Sequence, residues 1–190
     1  MSTKTKIETE VKLEVSREEF VACQKKMSAL GFSLKHTSAL SDFFYNIEKF
    51  DEKGWDFTRI RVYDGERYEK TEKKWKRNEK SERIREEFES ASSKIELEEL
   101  QKEKEMLSLQ KTRTDYSGKT FDYDGVCSFD EVTFPDETRY FIECEIEVAE
   151  ELSDSIRPAL KSWMILNFDL SDRPEGIGMM KLVLSKAGLI

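Results

Sequence analysis

From Ile7 to Leu13 apolar and polar residues alternate. On an extended strand Ile7, Thr9, Val11 and Leu13 take one face, and Glu8, Glu10 and Lys12 take the other. The same period of two returns along the chain. Arg59 and Arg61 oppose Ile60 and Val62. Lys74 and Lys76 oppose Trp75, while Arg83, Arg85, Glu87 and Glu89 oppose Ile84 and Phe88. Lys111 and Arg113 share a face, and Glu143, Glu145 and Glu147 oppose Ile142, Cys144, Ile146 and Val148. The pattern predicts about eight strands, over 6–15, 38–46, 58–63, 67–76, 83–89, 107–115, 120–133 in two pieces, and 139–148. Turns are expected at Asp64-Gly65, Asn78 to Glu82, Gly118 and Phe134-Pro135-Asp136.

Four segments change to a helical period. Ser16 and Glu19 form a capping box ahead of Phe20, Cys23, Met27 and Leu30, and Gly31 closes that helix. A second helix is expected from Ser92 or Ser93 to about Met106. A third runs from Ser153 to about Leu166, with Pro158 in its first turn, and a last one from about Glu175 to Ala187. Short connections between strands imply an antiparallel sheet, so the expected fold is α+β and residues 1–190 form a single domain.

Composition narrows the function. The chain has 190 residues, of which 37% are hydrophobic and 38% charged, so either its surface or an interior cavity must hold an unusual share of charge. The net charge of −8 argues against a general nucleic-acid binder, and acids interrupt the locally basic stretch from Lys70 to Arg85. No apolar run is long enough to span a membrane, and no apolar signal core follows the N-terminus, so cytoplasmic residence is expected. Cys23, Cys127 and Cys144 are an odd count with no Cys-x-x-Cys spacing, and buried thiols are expected rather than disulfides or a zinc site. With His36 as the one histidine, His-based triads and His-metal sites are nearly excluded.

A sheet with one face in water would account for any single strand. Taken together the strands are more ordered than that. Acidic pairs gather in the first and last strong strands, and basic pairs, rich in Arg, lie between them. A barrel with a charged interior and helices outside would bring them together. Two carboxylates ~6 Å apart repel by roughly 3 kcal/mol at an effective dielectric near 20. Glu8, Glu10, Glu143 and Glu145 gathered together would need cations, and a hard divalent ion suits oxygen ligands. The planar Arg fork suits phosphate. A triphosphate with Mg²⁺ or Mn²⁺ meets both needs.

These residues resemble the CYTH superfamily, the triphosphate tunnel metalloenzymes. Glu8-Thr9-Glu10-Val11-Lys12 is similar to the family's N-terminal Glu-x-Glu-x-Lys signature. Arg59-Ile60-Arg61, Lys74-Trp75-Lys76, Arg85 to Glu89, Lys111-Thr112-Arg113, Phe129-Asp130-Glu131-Val132 and Phe141 to Glu147 resemble its later motifs in order. The resemblance implies an eight-stranded antiparallel β-barrel, a tunnel that binds triphosphate with divalent metal. It implies metal or water-positioning roles for Glu8, Glu10, Asp130, Glu143 and Glu145, with Glu87 and Glu89 tuning the bases or holding a second ion. It implies phosphate binding by Lys12, Arg59, Arg61, Lys74, Lys76, Arg85, Lys111 and Arg113. Lys181 resembles a basic residue of the C-terminal helix that closes one tunnel end in some members. By this comparison the catalytic set is Glu8, Glu10, Lys12, Asp130 and Glu145.

In the fourth strand Lys73 and Lys76 lie on opposite faces, and Lys76 is favoured because it sits nearest the turn before Arg83. The family's glycine-containing segment between the Asp130 and Glu143 motifs is replaced by Pro135 to Arg139, and the His-Phe segment of some class IV adenylyl cyclases is missing. The leading expectation is a metal-dependent triphosphate hydrolase. The alternatives are cyclisation of ATP with release of pyrophosphate, and a binding module without turnover. The expected partner is a triphosphate-containing small molecule, with no nucleic acid and no membrane, and the chain is expected to be a monomer or homodimer.

Overall fold

The computed structural model describes residues 6–51, 54–77, 83–149 and 152–190. Its strands are β1 (Lys6–Val15), β2 (Ser33–Asp51), β3 (Gly54–Tyr63), β4 (Arg67–Arg77), β5 (Arg83–Ala91), β6 (Leu107–Thr120), β7 (Tyr123–Thr133) and β8 (Thr138–Ala149). Four helices accompany them: α1 (Arg17–Lys26), α2 (Lys94–Glu103), α3 (Ser153–Phe168) and α4 (Met179–Lys186). The strands form one eight-stranded antiparallel sheet in the order β1-β8-β7-β6-β2-β3-β4-β5. The architecture is the expected α+β one, but the sheet ends at β1 and β5 instead of closing through a ladder between them among the described residues. Edge strand β5 carries exposed Glu87 and Glu89, and charge of this kind discourages further strand pairing.

Contacts group the chain into two units, one of residues up to 38 with 112–177, the other of 39–111 with 178–190. In the first, the apolar faces of β1 and β8 (Val11, Leu13, Ile142, Cys144, Ile146) are covered by α1 and α3. Phe129 is fully buried, with the rings of Phe20, Tyr116 and Phe168 set edge-on to it at 5.4, 5.6 and 6.3 Å. The predicted capping box is present, with Ser16 and Glu19 each accepting from the other's backbone N–H. In the second unit Tyr45, Ile60, Val62 and Leu97 of α2 form a smaller core. No helix among the described residues is long and apolar enough to cross a membrane.

Several local expectations change. Gly118 lies inside β6, and the reversal to β7 is made by Phe121 and Asp122, both with positive φ (52° and 67°). The glycine is needed for close approach: a Cβ there would lie 2.6 Å from the ring of buried Phe32. Gly118→Ala should therefore cost about 1–3 kcal/mol in a urea titration. An alanine variant as stable as the parent would show that the ring yields. Cys127 and Cys144 stand opposite one another on β7 and β8, Cα atoms 4.4 Å apart, and form a disulfide where free thiols were expected. A spacing of 17 residues does not reveal such cross-strand register. Cys23 remains a buried thiol. Pro158 is the sixth residue of α3, deeper than the first turn. The last helix starts at Met179, because Pro174, Gly176 and Gly178 break the run assigned to it from residue 175. The expected turn over residues 78–82 lies outside the described residues.

Candidate active site

Register builds the site. In the β1–β8 ladder Glu8 faces Glu147, Glu10 faces Glu145 and Lys12 faces Glu143, and in the β7–β8 ladder Ser128 faces Glu143. Residues directly opposite share a face, so the acids of two distant segments meet on the side of the sheet away from α1 and α3. Oxygens of Glu10, Glu143 and Glu145 lie within 4.8 Å of one another.

Two cations are set among these acids. The Lys12 ammonium pairs with Glu143. Arg113 forks onto Asp130, with Nε and Nη2 both 2.7 Å from its oxygens, and Nη2 also lies 3.2 Å from Glu143. Asp130 is completely buried and Glu143 nearly so. Burial pushes Glu143 upward, but Lys12 and Arg113 outweigh it and hold its pKa at about 2. Lys12 is raised despite burial, because Glu143, Asp130 and Glu10 favour its charge. Glu145 behaves in the opposite way. Burial, then the charges of Glu8, Glu143 and Glu10, raise its pKa to about 7.

One carboxylate of the cluster is thus neutralised and another is not. The donor set is all oxygen, close-set and short of positive charge, which fits a hard divalent cation. Of the sequence-expected ligands, Glu10, Glu143 and Glu145 are brought together. Glu8 is more exposed and acts on Glu145 through its charge. Asp130 is taken up by Arg113. Glu87 and Glu89 lie exposed on β5 in the other unit, and Glu87 pairs with Lys73 at 2.6 Å. The sequence reading missed a group beside this cluster, at the rung where Ser128 faces Glu143. The Ser128 hydroxyl donates to Asp115 Oδ1 at 2.6 Å, and His36 Nε2 lies 3.2 Å from Asp115 Oδ2. Asp115 continues the period of Lys111 and Arg113, which was the available signal.

The second unit gathers bases. Arg61 Nε and Nη2 donate to Asp42 at 2.6 and 2.8 Å, and both side chains are buried. Asp42, another residue not foreseen, keeps its charge despite burial because Arg61, Arg59 and Lys111 hold its pKa down. Arg59 donates through Nη2 to Thr71 at 2.8 Å, while its buried Nε has no acceptor among the described residues. Burial and then the neighbouring Arg61 disfavour its charge. Lys111 is also buried. The buried Arg59 Nε is a donor that an anion could satisfy.

On β4 the register sets Lys73, and not the favoured Lys76, on the face of the arginines. Thr71 faces Arg59 and Lys73 faces Phe57 across the ladder, so Lys73 shares the face of Arg59 and Arg61. Lys74 and Lys76 stand on the other face, exposed, paired with Glu72 at 3.4 Å and with Glu86. Nearness to a turn does not decide a face; period two does. Arg85 pairs through its backbone with Trp75, and its side chain lies outside the described residues. Lys181 is exposed on α4.

A family model described as the CYTH domain matches residues 6–171. No curated protein matches in sequence. Several solved structures share the fold. The PH1819 protein from Pyrococcus horikoshii OT3 is 23% identical with TM-score 0.64, covering 95% of this chain and 99% of its own. HpAC1 from Hippeastrum, described as an adenylyl cyclase candidate with a dominant triphosphatase activity, is 17% identical with TM-score 0.62, covering 97% of each chain. A Bacillus halodurans protein described as a candidate adenylate cyclase is 16% identical with TM-score 0.56, covering 93% of this chain and 97% of its own.

Proposed function

The chain belongs to the CYTH family, and from that premise we propose that it is a divalent-metal-dependent triphosphatase acting on tripolyphosphate or an organic triphosphate. The observation that carries this reading is the cluster of Glu10, Glu143 and Glu145, deficient in positive charge, with Lys12 and Arg113 beside it. A module that only binds phosphate has no use for three converging carboxylates. The triphosphatase activity described for the Hippeastrum protein points the same way.

Glu10, Glu143 and Glu145 would hold the ion. When bound, it would supply charge neutralisation for phosphate oxygens and a lowered pKa for water. The protein's own groups do the positioning. Lys12 and Arg113 exchange part of their contact with Glu143 and Asp130 for phosphate oxygens. Arg59, Arg61, Lys111 and Lys73 hold phosphate oxygens in the second unit, with Asp42 fixing the Arg61 fork. Water oxygen bonds to the terminal phosphorus as the bridging P–O bond breaks, and fixed cations stabilise the charge that develops.

Phosphate, pyrophosphate and cyclic AMP measured together from ATP, alongside phosphate from tripolyphosphate, with Mg²⁺ and with Mn²⁺, test the proposal. Orthophosphate should dominate with either substrate, and only with metal. Cyclic AMP and pyrophosphate as the main products would establish the cyclase instead, and binding without turnover would leave a phosphate-binding module. The choice between Lys73 and Lys76 is tested in the same assay. Lys73→Ala should raise KM for tripolyphosphate about ten-fold, as expected for one lost charge-assisted contact, while Lys76→Ala leaves it unchanged. Equal effects would remove Lys73 from the phosphate set.

A further inference from the structure

Residues 169–178 form neither helix nor strand, yet they are firmly tied. Asp172 accepts from Lys161 at 3.0 Å, and Glu175 accepts from Arg157 at 2.5 Å, which anchors the segment to α3. Arg173 forks onto Glu19 of α1 at 3.0 and 2.6 Å. The same segment also reaches β1. Gly176 N–H donates to the Lys12 carbonyl at 2.8 Å, and Arg173 Nη1 donates to the Glu14 carbonyl at 3.2 Å.

Among the described residues β1 is an edge strand, with β8 as its sole ladder neighbour. Carbonyls two residues apart on its other edge are those a further strand would satisfy. This segment takes that place where β1 carries Lys12. The approach is close. A Cβ on Gly176 would lie 3.3 Å from Glu14 N and 3.5 Å from both the Lys12 carbonyl oxygen and Lys12 Cγ. The strap therefore bears on the stem of the lysine as well as on its backbone.

We propose that Arg173 and Gly176 are positioning residues for Lys12. They clamp the open edge of β1 so that the Lys12 ammonium stays on Glu143, next to the acid cluster. The catalytic consequence rests on the reading that Lys12 holds phosphate. The clamp itself does not.

The experiment separates the two. Metal-free protein carrying ¹⁵N-lysine is examined by NMR for the Lys12 ammonium, assigned by its loss in Lys12→Ala. A buried, ion-paired ammonium exchanges its protons slowly with water. In Gly176→Ala and Arg173→Gln, studied well below their melting temperatures, that exchange should quicken at least about ten-fold, and kcat for tripolyphosphate should fall by a similar factor. Arg157→Gln cuts a tie of the same strap that does not touch β1 and should change neither. If Arg173→Gln does not fold, Arg173→Lys is read in its place. It keeps a charge toward Glu19 and loses the fork that also reaches the Glu14 carbonyl. An ammonium still protected in folded Gly176→Ala and in the Arg173 variant overturns the clamp. A released ammonium with undiminished turnover supports the clamp and removes Lys12 from the phosphate-holding set.

Discussion

Glu145→Gln is expected to remove metal-dependent turnover and, at the same time, to make the metal-free protein more stable above neutral pH. The first effect follows from taking a charged oxygen donor out of the only three-carboxylate group found among the described residues. A loss of about 10²–10³ in kcat is the scale for one group that meets charge in the transition state. The second effect follows from linkage. Glu145 in the folded protein has its pKa raised to about 7 from an ordinary value of 4.5. A raised carboxyl stabilises the fold fully below its unfolded pKa, and that contribution is lost as pH climbs through 7. The gap corresponds to about 3 kcal/mol at most. Solvent screening of a side chain that is only partly buried reduces it to about 1–2 kcal/mol.

Glutamine does not ionise. The variant should therefore match the parent near pH 4 and exceed its melting temperature near pH 8 in chelator. Adding Mg²⁺ should then reverse the order, since the ion stabilises a protein that binds it by about 2.7 kcal/mol at a hundred times Kd. Thermal melts at two pH values, with and without metal, check all of this. Full turnover in the variant, or a melting temperature below the parent's at the higher pH, would show that Glu145 is not the uncompensated acid of the cluster.

Arg113→Met should have the largest effect on stability. Arg113 is the fork on fully buried Asp130 and a second cation on nearly buried Glu143. Its own charge is strongly favoured despite burial, by Asp130 and then Glu143. Methionine keeps much of the volume and takes one cation away from each carboxylate, at a cost of about 3–5 kcal/mol. Here the sign with pH is the reverse of that for Glu145. Glu143 is depressed to about 2, so the stability it contributes is present above its unfolded pKa near 4.5 and is lost as pH falls toward 2. The deficit of Arg113→Met should therefore be largest near neutrality and shrink in acid. Asp130→Asn added to Arg113→Met should recover part of it, because the buried charge that lost its guanidinium is removed as well. Urea titrations across this range measure the effect. A deficit below about 1 kcal/mol at neutral pH would mean that water reaches these acids.

Much of this site is legible in the sequence. The strand carrying Glu8, Glu10 and Lys12 and the strand carrying Glu143 and Glu145 fall where alternation put them, and so does the capping box at Ser16. The misreadings share a cause. Nearness to a turn favours Lys76 over Lys73, but a face is set by register with Arg59 and Phe57. Gly118 looked like a turn residue, and what requires a glycine there is a phenylalanine ring 86 residues away in sequence. Asp42 carried no motif, since its partner Arg61 lies across a ladder. The strap from Asp169 to Gly178 has no period at all, and its role comes from the β1 edge it covers.

Along one strand, the sequence alone settled which residues share a side, because that alternation is built into the covalent geometry of an extended chain. It thereby marked out the acidic pairs near the two ends of the chain and the basic pairs between them. Which rung faces which, and so which acid is neutralised by Lys12 and Arg113 and which is left wanting a cation, was decided only by the tertiary structure. Ion pairing and burial depend on neighbours that the chain brings from far away, and a local pattern holds no record of them.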